Sequence, residues 1–163
     1  MVCSHVPGGE DATPSIVNAV RNLGFLAPIV AGSTVDEPTW FGRVPVLGEL
    51  TYVSWSSIFG NDPSSQVNEL IEAVNADSAT PRAGVTTVLG ADAVVLWARA
   101  VDSVGTADPT TVAAALGAFA DQPVLTGELS FTGGARMDPG RTYRVLHVVD
   151  GEVQPPDLAN VEG

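Results

Sequence analysis

The 163-residue sequence contains no lysine and only seven arginines, against nineteen acidic residues. Its formal net charge at pH 7 is therefore −12. A surface of this sign repels phosphate backbones and anionic lipid headgroups, which argues against binding to nucleic acid or to a membrane surface. Because the acidic residues are spread along the chain rather than collected in one block, they are typical of a solubilising charge.

Cysteine and long apolar runs are also scarce. Cys3 is the only cysteine, so no disulfide can form within the chain, and the redox compartment stays open. The most apolar stretch, residues 84–105, is interrupted by Asp92, Arg99 and Asp102. It therefore lacks the roughly 18–20 uninterrupted apolar residues of a membrane span. The first residues show neither the basic region nor the apolar region of a signal peptide, so we expect none in this chain.

The composition is that of a folded protein, with 45% hydrophobic and 16% charged residues. The length allows one ordinary domain or two small lobes. Residues 84–105 predict a helix that is apolar on every face, and such a helix has to be buried. Leaving half of its large side chains in water, at about 1.5–3 kcal/mol each, would cancel a typical net stability of about 5–15 kcal/mol.

The first third of the chain alternates strand and helix signals. Residues 2–6 and 25–32 are β-prone apolar runs, and between them Thr13 and Pro14 begin an amphipathic helix. This order predicts two parallel strands joined by a right-handed crossover. A third strand is expected over residues 50–59.

The rest of the chain is richer in helix and then ends in strands. The predicted elements are a helix starting at Asn61-Asp62-Pro63, the helix 84–105, a short helix capped by Asp108-Pro109, strands 125–131 and 143–149, and a hairpin turn at Asp150-Gly151. The tail, residues 154–163, has two prolines and no apolar pattern, so we expect it to be disordered.

This order of elements resembles the latter part of a type I periplasmic binding protein of the branched-chain amino-acid class, the substrate-binding component of ABC importers. The segments that carry the likeness are residues 23–32 (LGFLAPIVAG), residues 90–94 (GADAV), and residues 125–134 (LTGELSFTGG). The likeness extends over nearly all of residues 2–153.

The resemblance implies an α/β fold in which two Rossmann-like lobes close on a ligand. Residues 1–59 and 125–153 would be α/β segments of the second lobe, and residues 60–124 a helical segment of the first lobe. The first lobe's sheet and the start of the second lobe would be absent, so the chain would form an incomplete Venus-flytrap.

By the same resemblance, the protein would be part of an extracytoplasmic solute-binding protein that captures a small polar, amino-acid-like solute and delivers it to an ABC permease. The full-length protein would act in the periplasm or at the cell surface. It would be no enzyme, and we expect neither a cofactor nor a metal ion.

The candidate ligand site lies beyond the carboxyl ends of the first two predicted strands, where open α/β sheets bind their ligands. The residues expected there are Gly9, Glu10, Ser33, Thr34 and Asp36. By the resemblance, Ser33 occupies the position of the family's ammonium-binding carboxylate, and Gly9 and Ala91 replace two tyrosines. Glu10 or Asp36 would then have to supply the negative charge, unless both are loop or capping acids.

Two alternative functions stay open, a ligand-sensing or regulatory domain of the same fold and a small α/β enzyme. Cys3 and His5 are too few for a metal site, and His147 lies on a distant strand. The G-x-S-x-G, G-x-G-x-x-G and P-loop patterns are absent. Asp92, within the apolar helix, should have a partner or lie near the N-terminal, lobe-bridging end of the helix, and a structural role is expected for it. Trp97 is expected in the core.

If no strands cover the apolar helix, the chain should bury it against a second copy of itself, with or without exchange of elements, or repack it on its own sheet. We therefore expect a homodimer through the exposed apolar helices, with the patch detectable by an environment-sensitive dye. Sedimentation velocity over a range of concentrations measures the association. A compact monomer that binds no dye and does not associate at high concentration would contradict this expectation.

Overall fold

The structure is a computed structural model that describes residues 12–37, 39–77, 84–132, 141–149 and 151–160. Within these residues it has four α-helices and seven strands. In chain order they are α1 (Ala12–Asn22), β1 (Ile29–Ala31), β2 (Glu49–Ser54), α2 (Ser65–Ala76), α3 (Val85–Val104), α4 (Pro109–Gly117), β3 (Gln122–Val124), β4 (Gly127–Leu129), β5 (Thr142–Val149), β6 (Glu152–Val153) and β7 (Asp157–Asn160).

The main sheet is mixed. β1 pairs with β2 in parallel, with Ile29 opposite Leu50, and β2 pairs with β5 antiparallel, with Ser54 opposite Arg144. β6 and β7 both pair antiparallel with β5. The strands predicted over residues 25–32 and 50–59 are present but shorter, because the chain leaves the sheet after Ser54 to enter the helical layer.

The core of the sheet lies on the face that α1 covers. Along β2, Leu50, Tyr52 and Ser54 are buried and alternate with more exposed residues, as the period of two in a strand requires. The loop between β1 and β2 adds Trp40 and Phe41, both buried in the same cluster. These two aromatic residues anchor the loop, and the Trp40 Nε1–H donates to the Val35 carbonyl at 2.8 Å.

A buried arginine fixes the end of α1. The Arg21 guanidinium donates to the carbonyl oxygens of Phe25 and Ala27 at 2.8 Å each and to that of Leu47 at 2.7 Å. These carbonyls belong to loops that enter β1 and β2, so one side chain holds both loop entries against the helix. Gly48, at φ +68°, lies against the same guanidinium.

A second hydrophobic cluster belongs to the helical layer. It contains Val67 and Ile71 of α2, Val88 of α3, and Ile58 from the loop after β2. Phe59 packs against this cluster and against the core of the sheet. The proposed division of residues 60–124 from the segments 1–59 and 125–153 stays a prediction.

The apolar helix has the predicted ends. Gly84 caps its N-terminus, and Gly105 ends it in the left-handed conformation at φ 67°. Val88, Leu96 and Ala100 are buried, but Val94 is 65% exposed and Trp97 is 51% exposed. The expectation that Trp97 is core is therefore wrong for this chain, because the described residues do not cover that face of α3. The predicted apolar patch is present, whereas the homodimer stays a prediction.

The segment 125–131 differs from the single strand that was predicted. It contains the turn of a hairpin, in which Val124 of β3 faces Gly127 of β4. Gly127 has φ 126°, a conformation open to glycine and costly for other residues. Sequence alternation could not separate one strand from a hairpin here, because each strand of the pair has only three residues.

The expectation of a disordered tail is wrong for residues 157–160. After the predicted turn, where Gly151 has φ 84°, β6 places Val153 opposite Val148. The chain then continues as β7, with Asp157 opposite Val145. Backbone pairing with β5 orders this polar segment, so it needs no apolar pattern of its own.

A buried ion pair joins the sheet to the start of the helical layer. Arg144 of β5 donates from Nε and Nη2 to the two carboxylate oxygens of Asp62, each at 3.2 Å. The backbone N–H groups of Ser57 and Ser64 also donate to Asp62. A buried acid needs this many partners, because an unpaired charge in the interior costs several kcal/mol or more.

Asp92 connects α3 to the hairpin and to the start of β5. Its carboxylate accepts hydrogen bonds from the Leu125 N–H at 2.7 Å and from both the N–H and the hydroxyl of Thr126. Arg141 Nη2 lies 3.8 Å from the same carboxylate. The prediction that Asp92 has a buried partner and a structural role is therefore confirmed.

Asp92→Ala should lower the free energy of unfolding by about 3–5 kcal/mol, because it removes the acceptor of the Leu125 and Thr126 donors and the ion-pair partner of Arg141. Asp102→Ala is the matched control, since Asp102 is an exposed acid on the same helix and should change stability by less than about 0.5 kcal/mol. Urea unfolding at neutral pH measures both. Equal losses in the two variants would contradict the structural role of Asp92.

Candidate functional site

One edge of the main sheet collects the carboxyl ends of β1 and β2 and the start of β5. It does so because β1 and β2 are parallel and β5 is antiparallel to β2. The helical layer follows directly from this edge, through the loop after Ser54. We call the loop from residue 32 to residue 37, which leaves the end of β1, the strand-end rim. Open α/β sheets bind ligands at such an edge.

Asp36 lies at this rim but faces the protein interior. It is 2% exposed, and its two carboxylate oxygens accept hydrogen bonds from the Tyr52 hydroxyl at 2.9 Å and the Ser54 hydroxyl at 2.7 Å. Both donors come from β2, so the carboxylate fastens the rim to the neighbouring strand. Its oxygens are therefore engaged inside the protein rather than presented to a ligand.

Burial also sets the protonation of this cluster. It raises the pKa of Asp36 from 3.8 to about 6, although the hydrogen bonds from Ser54 and Tyr52 act in the opposite direction. Burial likewise raises the pKa of the Tyr52 hydroxyl above its ordinary range, and the adjacent Asp36 charge adds to the effect. Near neutral pH the cluster is thus a buried carboxylate held by two neutral hydroxyl groups.

The accessible side chains of the rim are the hydroxyl groups of Ser33 and Thr34 and the carboxylate of Glu37. Ser33 and Thr34 form the first two residues of a 3₁₀ turn directly after β1, where Ser33 is partly exposed and Thr34 is exposed. The other two predicted residues, Gly9 and Glu10, lie outside the described residues, as do Cys3 and His5. The structure therefore brings Ser33, Thr34 and Asp36 to one loop and separates Asp36 from the other two by burial.

The sequence analysis missed the polar network that follows β2. Asp62 and Arg144 pair there, and Asn68 of α2 donates from Nδ2 to the Asp62 carbonyl and accepts from the Asp62 N–H. The only sequence signal was Asn61-Asp62-Pro63, which predicted a helix start. The partner Arg144 is 82 residues away in sequence, so spacing alone could not connect the two.

Two features are absent from the part of the chain that the structure describes. No three histidine, cysteine or acidic side chains in this part of the chain come close enough together to bind a metal ion. In the same part of the chain, no helix combines the length and the apolar character needed to cross a membrane.

Comparisons with known proteins agree with the fold. No protein-family profile and no curated protein sequence matches the chain. Solved structures do match. The leucine-binding protein LivK of Thermotoga maritima has a TM-score of 0.71 at 19% identity, over 90% of this chain and 41% of its own. The binding protein LivJ of Streptococcus pneumoniae, solved with isoleucine, has a TM-score of 0.72 at 21% identity, over 94% and 43%.

A third similar structure is a putative branched-chain amino-acid ABC transporter from Rhodospirillum rubrum, with a TM-score of 0.63 at 20% identity over 88% of this chain and 41% of that one. The chain thus spans about two fifths of the length of the structures it matches. The predicted type I periplasmic binding protein fold is confirmed, and at these identities the likeness establishes the fold alone.

The raised pKa of Asp36 predicts a pH dependence of stability. Between about pH 4 and pH 6 the folded protein holds a proton on Asp36 that the unfolded chain has released, so stability falls as the pH rises through this window and levels off above it. The size of the fall is about 2–3 kcal/mol.

Urea unfolding of the wild type and of Asp36→Asn at pH 4, 5, 6 and 7 isolates this contribution. The unfolding free energy of the wild type minus that of Asp36→Asn should be larger at pH 4 than at pH 7. Parallel curves for the two proteins would show that Asp36 does not titrate there.

Proposed function

We propose that the chain forms the later α/β segments and the associated helices of a two-lobed solute-binding protein of an ABC importer. In this proposal, a small polar, amino-acid-like solute binds between the lobes, and the closed protein delivers it to a membrane permease. The function would be exercised outside the cytoplasm, and the protein would have no catalytic role. The likeness of the fold to LivK and LivJ supports this proposal.

The observation that carries the proposal is the position of the strand-end rim. The carboxyl ends of two parallel strands meet there, at the edge from which the chain crosses into the helical layer. A solute bound at such an edge contacts loops of one lobe and can be enclosed when the other lobe rotates toward it. The firm attachment of the rim to β2, through Asp36, provides a preorganised wall for binding.

Within this site we assign ligand contacts to Gly9, Glu10, Ser33 and Thr34, and a supporting role to Asp36. Ser33 and Thr34 offer hydroxyl groups at the accessible surface of the rim. Asp36 is buried with both oxygens engaged, so it holds the rim in place and Glu10 becomes the candidate carboxylate for a ligand ammonium group.

The uncovered face of α3 fits the same proposal. Val94 and Trp97 are about half exposed or more in this chain, whereas the opposite face of the helix is buried. Leaving such side chains in water is costly, so we propose that a sheet of the other lobe packs on this face in the assembled protein. In the isolated chain, the self-association predicted above would cover this face of α3 in place of that sheet.

Calorimetric titration of the native gene product with L-isoleucine, L-leucine and a panel of other small polar solutes tests the proposal. Using the protein from its own host ensures that any part of it outside these 163 residues is present. We expect at least one solute to bind. In the double variant Ser33→Ala/Thr34→Ala its affinity should fall about 10- to 30-fold, because two hydrogen bonds of about 1 kcal/mol each are lost.

The matched control is Thr86→Ala/Thr110→Ala, which removes two exposed hydroxyl groups from α3 and α4. This control should bind the solute as the wild type does. Absence of binding to every solute in the panel would contradict the proposed function. Binding that both double variants retain equally would instead contradict the assignment of the site to the rim.

A further inference from the structure

A cavity of about 360 Å³, partly open to solvent, lies between the sheet and the helical layer. Trp55 and Tyr143 line it on the sheet side, and Leu96 of α3 and Leu116 of α4 line it on the helical side. Ligand pockets typically have volumes of about 300–1,000 Å³. The cavity is therefore large enough to receive part of a small solute.

The cavity continues the same edge of the sheet that carries the strand-end rim. Trp55 follows Ser54, the last residue of β2, and the Ser54 hydroxyl donates to Asp36 of the rim at 2.7 Å. Tyr143 lies at the start of β5, which pairs with β2 at this end. Because neighbouring strands are about 4.8 Å apart, the rim and the cavity are close enough for one solute to contact both.

The rim and the cavity differ in the polar groups that they offer. The rim presents hydroxyl groups and the exposed carboxylate of Glu37. Among the described residues that line the cavity, Asp92 is the only acid, and it is 3% exposed and accepts hydrogen bonds from Leu125 and Thr126. An amino-acid-like solute would therefore keep its ammonium group at the rim and place its side chain in the cavity.

The rings in the cavity wall favour an aromatic side chain over an aliphatic one. Trp55 and Tyr143 stand next to each other with ring centroids 6.3 Å apart, and Phe131 lines the same space. An aromatic ring gains from edge-to-face or offset contact with such rings, in addition to the burial of its apolar area. An aliphatic side chain gains from the burial alone.

Arg141 adds a cationic donor to the same wall. Its guanidinium lies 5.8 Å from the centroid of the Trp55 ring, its Nη2 lies 3.8 Å from the Asp92 carboxylate, and its Nε is buried. A guanidinium is attracted to the face of an aromatic ring and donates hydrogen bonds to oxygen atoms, whereas an aliphatic group offers it neither contact. Arg141 therefore acts in the same direction as the rings, and it opposes the entry of an ammonium group.

We propose that the solute of the interlobe site is an aromatic amino acid or a close analogue, and that its ring occupies this cavity. The ring contacts the sheet side through Trp55 and Tyr143 and the helical side through Leu96 and Leu116. This inference rests on the proposed function, because it names the class of solute for the same interlobe site.

Calorimetric titration of the native gene product with L-phenylalanine, L-tryptophan, L-leucine and L-cyclohexylalanine tests the inference. L-phenylalanine and L-tryptophan should bind at least tenfold more tightly than L-leucine. L-cyclohexylalanine carries a saturated ring in place of the phenyl ring, so it should bind about 2- to 12-fold more weakly than L-phenylalanine.

The outcomes separate this inference from the proposed function. L-leucine that binds as tightly as L-phenylalanine, or more tightly, would overturn the inference and leave the proposed function in place. Absence of binding to these four solutes and to the panel described above would contradict the proposed function, and this inference with it.

A pair of variants tests whether the ring lies in the cavity. Ala93→Phe adds a ring at an exposed residue that lines the cavity, and it should weaken the affinity for L-phenylalanine at least tenfold. Ala114→Phe adds the same ring at an exposed position of α4 that does not line the cavity, and it should leave the affinity within twofold. Thermal unfolding checks that both variants fold. Equal affinities in the two folded variants would overturn the placement of the ring.

Discussion

The carboxylate of Asp92 determines how the helical layer meets the rest of the molecule. It projects from the middle of an apolar helix, and burial makes it dependent on the hydrogen bonds that it accepts from Leu125 and Thr126 and on the charge of Arg141. These partners are the turn of a hairpin and the residue that precedes β5. The orientation of α3, the position of the hairpin and the entry of the chain into the sheet are therefore fixed together.

A second buried acid, Asp62, also joins the sheet to the helical layer, where the chain leaves β2. Asp62 precedes α2 and pairs with Arg144 of β5, next to the point where β2 ends. Each crossing is thus held by directional polar contacts rather than by a broad apolar interface, and the two hydrophobic clusters meet mainly at Phe59. Such an arrangement fixes the two connections between the layers through a few directional contacts.

Three surfaces of the chain differ in their chemical character. The strand-end rim is polar and firmly attached through Asp36, the exposed face of α3 is apolar, and the cavity between the layers is apolar with a neutralised ion pair in its wall. These environments differ in what they can bury favourably, polar groups at the rim and apolar surface on the exposed face of α3. The chemistry of each wall, more than its area, distinguishes them.

Local signals in the sequence determined much of this structure. The glycines at 84 and 105 and the apolar residues between them set the bounds of α3, Asp108-Pro109 began α4, and Gly151, with its positive φ, lies between β5 and β6. The type I binding-protein fold was predicted from the order of these elements, and the similar solved structures confirm it. The candidate site predicted from the sequence, Gly9, Glu10, Ser33, Thr34 and Asp36, stays a prediction, and of these residues the structure places the last three in the loop after β1.

Only the tertiary structure decided what each of these residues contacts. Asp36 turned inward because Tyr52 and Ser54, two strand positions on the buried face of β2, supply its hydrogen bonds. Asp157–Asn160 formed a strand because the edge of β5 was available, and Trp97 stayed exposed because the described chain has no partner for its face. Periodicity and turn chemistry act over a few residues, whereas burial and pairing depend on groups brought together from distant parts of the chain, and so the sequence predicted the elements but not their environments.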